Sequence, residues 1–211
     1  MSGTQGSPLG WLHLSRPREN WHKLDAAEHD RLYEKFAEIR QATAADGATI
    51  FGPYSTEGYG EWSRYVYFEF PDLSSLFRLE ERLQEIDYMG LVDFENHLGR
   101  VYSGHQAGDA RGKQPYCVVA LAQHDDAWYS KSNAERQRIE REEIVPSLSP
   151  IAAGEGGFIA LASCDITMGP QQYFLWEAPT LDFIYAARPH LNAFWRYHRG
   201  ARMIPGRKSE R

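Results

Sequence analysis

Two short stretches, FEFPDL at 68–73 and WEAPTL at 176–181, carry nearly the same signals in the same order. Glu69 and Glu177 stand 108 residues apart, and Pro71 with Pro179 and Leu73 with Leu181 keep that spacing. Upstream, Trp21 and Trp128 are separated by 107 residues, as are Asp25 of DAAE and Ser132 of SNAE. Asp25 and Ser132 are each followed three residues later by Glu, the pattern of a capping box that satisfies the first free amides of a helix. Downstream, HLG at 97–99 and HRG at 198–200 recur with a spacing of 101 and read as two helix ends, glycine being the usual stop. A chain built this way contains one unit twice.

Each unit reads strand, helix, strand, strand, helix. In the first, GWLHLS is a strand, and residues 26–44 form a helix with Leu32, Phe36 and Ile39 on its apolar stripe. ATIFG and EWSRYVYFEF are strands, and Asp72 caps a second helix whose Leu73, Leu76, Leu83 and Ile86 face inward. In the second, YCVVALAQ, GFIALASC and QQYFLWEA are strands. AERQRIEREEIV is a helix, and 181–198 is broadly helical with an interruption at Pro189. The polar, Gly-rich SGHQAGDARGKQP joins the two.

This order resembles one half of the dimeric α/β-barrel superfamily, whose members pair two ferredoxin-like units face to face. The resemblance spans about residues 10–203. It implies an α+β fold: two tandem ferredoxin-like repeats whose antiparallel sheets face each other as an α/β barrel, the second repeat covering the sheet face the first leaves open. The expected divisions are a flexible N-terminus at 1–9, repeats at 10–103 and 115–203, a linker at 104–114 and a basic C-terminal tail at 204–211. Members of the superfamily include cofactor-free quinone-forming monooxygenases, polyketide cyclases, muconolactone isomerases, and haem enzymes such as chlorite dismutases.

Composition removes several function classes. A net charge of −6, with lysine and arginine scattered, argues against a phosphate-backbone partner. No apolar run is long enough to span a membrane, and the N-terminus lacks a signal-peptide core, so a cytoplasmic protein is expected. Cys117 and Cys164 are too few for a disulfide framework and read as buried thiols. There is no G-x-G-x-x-G, no P-loop and no G-x-S-x-G, and the histidines show no paired metal-ligand spacing.

Strand alternation then assigns faces. Val66 and Phe68 suit the helix side, which sends Tyr65, Tyr67 and Glu69 into the barrel; likewise Phe174 and Trp176 go to the helices and Tyr173, Leu175 and Glu177 inward. On the first strands, Leu12 and Leu14 suit the helix side, leaving Trp11, His13 and Ser15 inward. Their counterparts put Val119 and Leu121 outward and Ala120 and Ala122 inward. The result is an asymmetric interior pocket, aromatic on one wall and small on the other, that suits a planar apolar ligand.

In that pocket His13 is the candidate general base, Tyr65 or Tyr67 can hydrogen-bond an oxyanion, and Glu69 or Glu177 can orient the imidazole or act as the base itself. Trp11, Ala120, Ala122, Tyr173 and Glu177 are the candidate substrate contacts. A merely hydrogen-bonded interior role competes for His13, and an ion pair or helix-approach contact for both glutamates. The loop PYSTEGYGEW, with Tyr54, Tyr59 and Trp62, can act as a lid.

The reading is a cofactor-independent enzyme acting on a small aromatic or polyketide-like molecule by proton removal, leading to oxygenation, cyclisation or isomerisation. No cofactor or metal is expected, and association into a homodimer is left open. The alternatives are a haem enzyme of the same superfamily, with His97 or His198 as ligand, or a non-catalytic binder of small ligands. Haem-degrading members use an Asn, Trp and His set, and ENH at 95–97 supplies two of those residue types.

Overall fold

In a computed structural model, which describes residues 7–56, 58, 60–101, 111–147, 156–164 and 172–209, the duplication is visible as topology. The first half runs β1 (Leu9–Pro17), α1 (Glu19–His22), α2 (Ala26–Ala45), β2 (Thr49–Ser55), β3 (Arg64–Phe70), α3 (Leu73–Glu85), α4 (Tyr88–Leu91) and β4 (Val92–Arg100). The second runs β5 (Tyr116–His124), α5 (Asp126–Tyr129), α6 (Asn133–Ile139) with a π-helical turn at Glu140–Ile144, β6 (Gly157–Ser163), β7 (Gln172–Ala178), α7 (Leu181–Ala187), a 3-10 turn at Arg188–Leu191, α8 (Asn192–Arg196) and β8 (His198–Lys208).

The strands form one antiparallel sheet in the order β4-β1-β3-β2-β8-β5-β7-β6, the same internal order used twice. The halves join where β2 pairs with β8 at Tyr54–Lys208 and Ser55–Arg207. The outer edges meet through a bridge between Val101 and Ala162 and a 3.1 Å bond from the Arg100 amide to the Ser163 hydroxyl, which rounds the sheet into a barrel. Both capping boxes form as the sequence predicts, Asp25 with Glu28 and Ser132 with Glu135.

Each half ends in a strand where the sequence suggests a helix end. HLG lies within β4 and HRG opens β8, so both belong to strands, and β8 runs through the residues expected to form a solvated tail. Polar side chains and glycines hide the alternation of both segments. The 101-residue spacing is therefore not the structural repeat. β1 pairs Leu12 with His97 and Leu14 with Glu95, while β5 pairs Val119 with Ile204 and Leu121 with Arg202. Leu12 and Val119 are equivalent, so the counterpart of His97 is Ile204 and that of Glu95 is Arg202. Gly99 and Gly206 are likewise equivalent. A Cβ at Gly99 would run into the Ser163 carbonyl, and one at Gly206 would lie 2.7 Å from the Tyr65 ring.

The faces of β3 and β7 follow the expected alternation, but those of β1 and β5 are reversed. Trp11 pairs with Phe68 and Leu12 with Tyr67, and residues paired across neighbouring strands share a face. Once Phe68 faces the helices, Trp11 and His13 must follow. Leu12, Leu14, Val119 and Leu121 accordingly pack in the barrel interior. Ala120 and Ala122 pack on the helix side, beneath Trp128, Phe174 and Trp176. Hydrophobicity could not choose the phase because both faces of these strands are buried. On α3, Leu76 and Leu79 carry the contact with the sheet, whereas Leu73, at the first helical position, is 43% exposed.

Candidate functional site

The reversal of β1 moves the expected pocket out of the barrel. Trp11, His13 and Phe68 form the floor of a cavity of about 510 Å3 between the first half of the sheet and α2, which supplies Tyr33 and Phe36. The amphipathic stripe of α2 explains the opening: Ile39 is buried at one end, but Leu32 and Phe36 stay half-buried because the helix stands off the sheet. Arg40 and Arg64 also line the cavity, as do Asp30 and Glu34.

His13 is 6% exposed and held at both ring nitrogens. Nδ1 lies 2.6 Å from the Asn96 Oδ1, and Nε2 lies 2.7 Å from the Tyr88 hydroxyl. An amide oxygen only accepts, so Nδ1 carries the proton and the Nε2 lone pair accepts from Tyr88. Burial pushes the imidazole down to about 4, against the opposing pull of Asn96, so the ring is neutral near pH 7. Burial also pushes the Tyr88 phenol up, so it stays a donor. Trp11 lies against His13 at 5.2 Å between ring centroids and Phe94 stacks on it at 5.7 Å.

Tyr65, Tyr67, Tyr173, Glu69 and Glu177 sit inside the barrel, on the opposite side of the sheet from His13. None of them can reach the imidazole. Tyr65 donates to the Cys117 carbonyl at 2.6 Å and Tyr54 to Glu177 at 2.9 Å. Burial raises Tyr65, Tyr67 and Tyr173 well above the ordinary phenol value, so all three are protonated. The equivalent glutamates both hold the segment that connects the halves. Glu69 accepts from Arg111 at 2.8 Å, and Glu177 accepts from the amides of Gly112 and Lys113 at 2.7 and 3.1 Å. Of the expected lid, Tyr54 and Trp62 are barrel core, and Tyr59 lies outside the described residues, as does His105.

His97, the first candidate haem ligand, is 1% exposed inside the barrel, with Nε2 2.9 Å from Glu95. Arg202 reaches across from β8 to hold both oxygens of that carboxylate at 2.8 Å. Within ENH, Asn96 and His97 point to opposite faces and cannot share a site. His198 packs on His124 with ring centroids 4.3 Å apart. Neither His97 nor His198 lines the cavity under α2, and His13 is the only imidazole among its described lining residues. Among the described residues no group of three or more His, Cys, Asp or Glu is placed to hold a bare metal ion. The cavity's chemistry does fit a haem: aromatic walls, two guanidinium groups for carboxylates, and a neutral imidazole whose tautomer leaves the lone pair on Nε2. That lone pair is occupied by Tyr88, which a metal would have to displace.

Tyr88, Arg40 and Arg64 escaped the sequence reading, and Asn96 entered it only within ENH, beside His97 and not as a partner of His13. Asn96 is placed opposite His13 only by the β1–β4 pairing, so recognising β4 as a strand would have been the signal. Tyr88 follows Asp87, whose φ of 52° turns the chain sharply after α3, a conformation that carries no mark in composition.

No family model matches the chain, and no curated protein does. Solved structures do. A double mutant of the chlorite dismutase of Candidatus Nitrospira defluvii superposes with a TM-score of 0.73 at 14% identity, covering 98% of this chain and 93% of that one. The same enzyme's complexes with cyanide and with imidazole give TM-scores of 0.71 and 0.69 at 14% identity, each covering 98% of this chain and 92% of theirs. The chain thus shares this α+β barrel fold from end to end. The expectation of a cofactor-independent enzyme is overturned. The full-length likeness runs to chlorite dismutases, and His13 is separated by the sheet from every tyrosine and glutamate meant to assist it.

Proposed function

We propose that this chain binds haem, or a tetrapyrrole of the same shape, in the cavity beneath α2, with His13 as the ligand to its iron. The observation that carries this reading is the His13 imidazole on the cavity wall, kept neutral by burial and oriented through Nδ1 by Asn96. Haem-ligating histidines need that arrangement: one nitrogen tethered to an acceptor, the other offering its lone pair.

Trp11, Phe36 and Phe68 would cover the faces of a flat macrocycle, and Arg40 and Arg64 can pair with its carboxylates. Asn96, Trp11 and His13 also bring together the residue types that the haem-degrading members of the superfamily use. The likeness to a chlorite dismutase seen with cyanide and with imidazole, both ligands of ferric haem, supports the same reading. When bound, the group supplies a redox-active iron. The chain's own part is to hold the ring, exclude water from its faces and, at Tyr88, to release the Nε2 lone pair.

A second reading rests on that last contact. Because Tyr88 already satisfies Nε2, the cavity can serve a flat apolar ligand without coordination. Titrating the purified protein with haemin and with metal-free protoporphyrin separates the two. Coordination predicts a shifted Soret band at one haemin per chain, lost in His13→Ala, with weaker binding of the metal-free ring. Equal binding of both rings, insensitive to His13→Ala, would leave only the apolar binder. Binding of neither would remove both.

A further inference from the structure

We propose that a second cavity, on the other side of the molecule's seam, binds a small amphipathic monocarboxylate. It encloses about 340 Å3 between the β5–β8 pair and α7, where the end of β2 meets β8. Its floor is apolar, built from Tyr116, Val118 and Met203. Its helical wall is Leu181, Ile184 and Tyr185, and two of these are strongly exposed, Leu181 at 45% and Tyr185 at 66%. A soluble surface rarely leaves two large side chains uncovered beside a concavity unless something packs there.

The charge of the lining names the ligand class. Arg188 and Arg207 both border the cavity, and no aspartate or glutamate is among its described lining residues, although the chain carries a net charge of −6. Arg207 is placed from two strands at once, paired with Ser55 of β2 and Tyr116 of β5. Arg188 opens the 3-10 turn that follows α7. Two arginines bordering an apolar floor suit one carboxylate with an apolar body, since a guanidinium fork matches a carboxylate in two hydrogen bonds. A polyanion would gain nothing from the floor, and a neutral apolar molecule nothing from the arginines. The first cavity has the opposite character, its arginines being mixed with Asp30 and Glu34.

The test uses the full chain and two probes of one shape, 1-naphthoate and 1-naphthylmethanol, followed by isothermal titration. The carboxylate is expected to bind at least tenfold more tightly than the alcohol. The doubly substituted Arg188→Gln, Arg207→Gln chain should lose at least tenfold in naphthoate affinity with little change for the alcohol. Both arginines are exposed, so this variant keeps the fold, which its circular dichroism and melting curve verify. Ala37→Trp, which obstructs the first cavity, should leave naphthoate binding intact. Equal affinity for the two probes, no naphthoate binding, unchanged binding in the double variant, or loss of binding in Ala37→Trp would each overturn the proposal.

Discussion

The two halves share a backbone and differ in what lies between sheet and helices. In the first half, the helix-facing residues of β1 are Trp11, His13 and Ser15, beside Val66 and Phe68 of β3. The equivalent positions of the second half are Val118, Ala120 and Ala122 on β5, beside Phe174 and Trp176 on β7. The second half puts its bulk on β7, and Trp128, Ile139 and Ile144 close over the alanines to fill the space. The first half spends its bulk on β1, where His13 is tied to Asn96 and Tyr88, and α2 stands off a cavity of about 510 Å3. Duplication therefore reproduced the order of elements while the bulk moved from one strand to its neighbour. Over Ala120 and Ala122 the space became core, and over Trp11 and His13 it stayed a cavity.

If that contrast is right, the largest effect comes from the packed side. Trp176→Ala should cost 3–5 kcal/mol, the usual range for emptying a fully buried aromatic site, whereas Trp11→Ala, which already faces a cavity, should cost at least ~1 kcal/mol less. Urea denaturation of both variants measures the difference, and equal costs would break the comparison.

Acid should act next most strongly, through His13. Its folded value of about 4 lies below the ordinary 6.5, so the native state refuses a proton that the unfolded chain accepts. The stability this gives is whole above pH 6.5 and is lost as pH falls towards 4, amounting to roughly 3 kcal/mol at full shift. His124 is also pushed down to about 4, by burial first and by His198 second, so the wild type should respond to both. In His13→Gln, the slope of stability against pH between 6.5 and 4 should fall by about one proton. An unchanged slope would show that His13 is not held neutral by its surroundings.

The smallest and sharpest comparison pairs two alanines. Leucine at Ala120, beneath the aromatic cluster, should cost about 1–3 kcal/mol by overpacking. Leucine at Ala37, on the wall of the first cavity, should be nearly neutral, within ~0.5 kcal/mol, because its methyl groups enter open space. The same Ala37→Leu chain should bind haemin more weakly, which ties the packing comparison to the proposed site.

Particular residues show how far the sequence could be read. The capping residues Asp25, Asp72 and Ser132 act over one helical turn, and all three cap as expected. Strands β3 and β7 were legible because each is a run of aromatic and apolar residues that ends in a glutamate two positions before a proline. Strands β4 and β8 were not, because Glu95, His97 and Arg202 are polar residues turned into the barrel, where Arg202 holds the Glu95 carboxylate and His97 Nε2 lies 2.9 Å from it. Glu95 and Arg202 are equivalent positions of opposite charge that meet across the barrel, a pairing visible only once the spacing of 107 is extended through the last strand. Trp62 adds a 2.9 Å bond to the same carboxylate.

What the sequence by itself determined is therefore the duplication, the local elements and the α+β class, since caps, turns and periodicity act between residues a few positions apart. The tertiary structure alone decided which face His13 occupies. Strands buried on both sides carry no hydrophobic signal for their phase, and the pairing with β3 and β4, over 50 to 80 residues away, sets it. That one choice separates His13 from the barrel tyrosines, delivers it to Asn96 and Tyr88, and places the candidate site beneath α2.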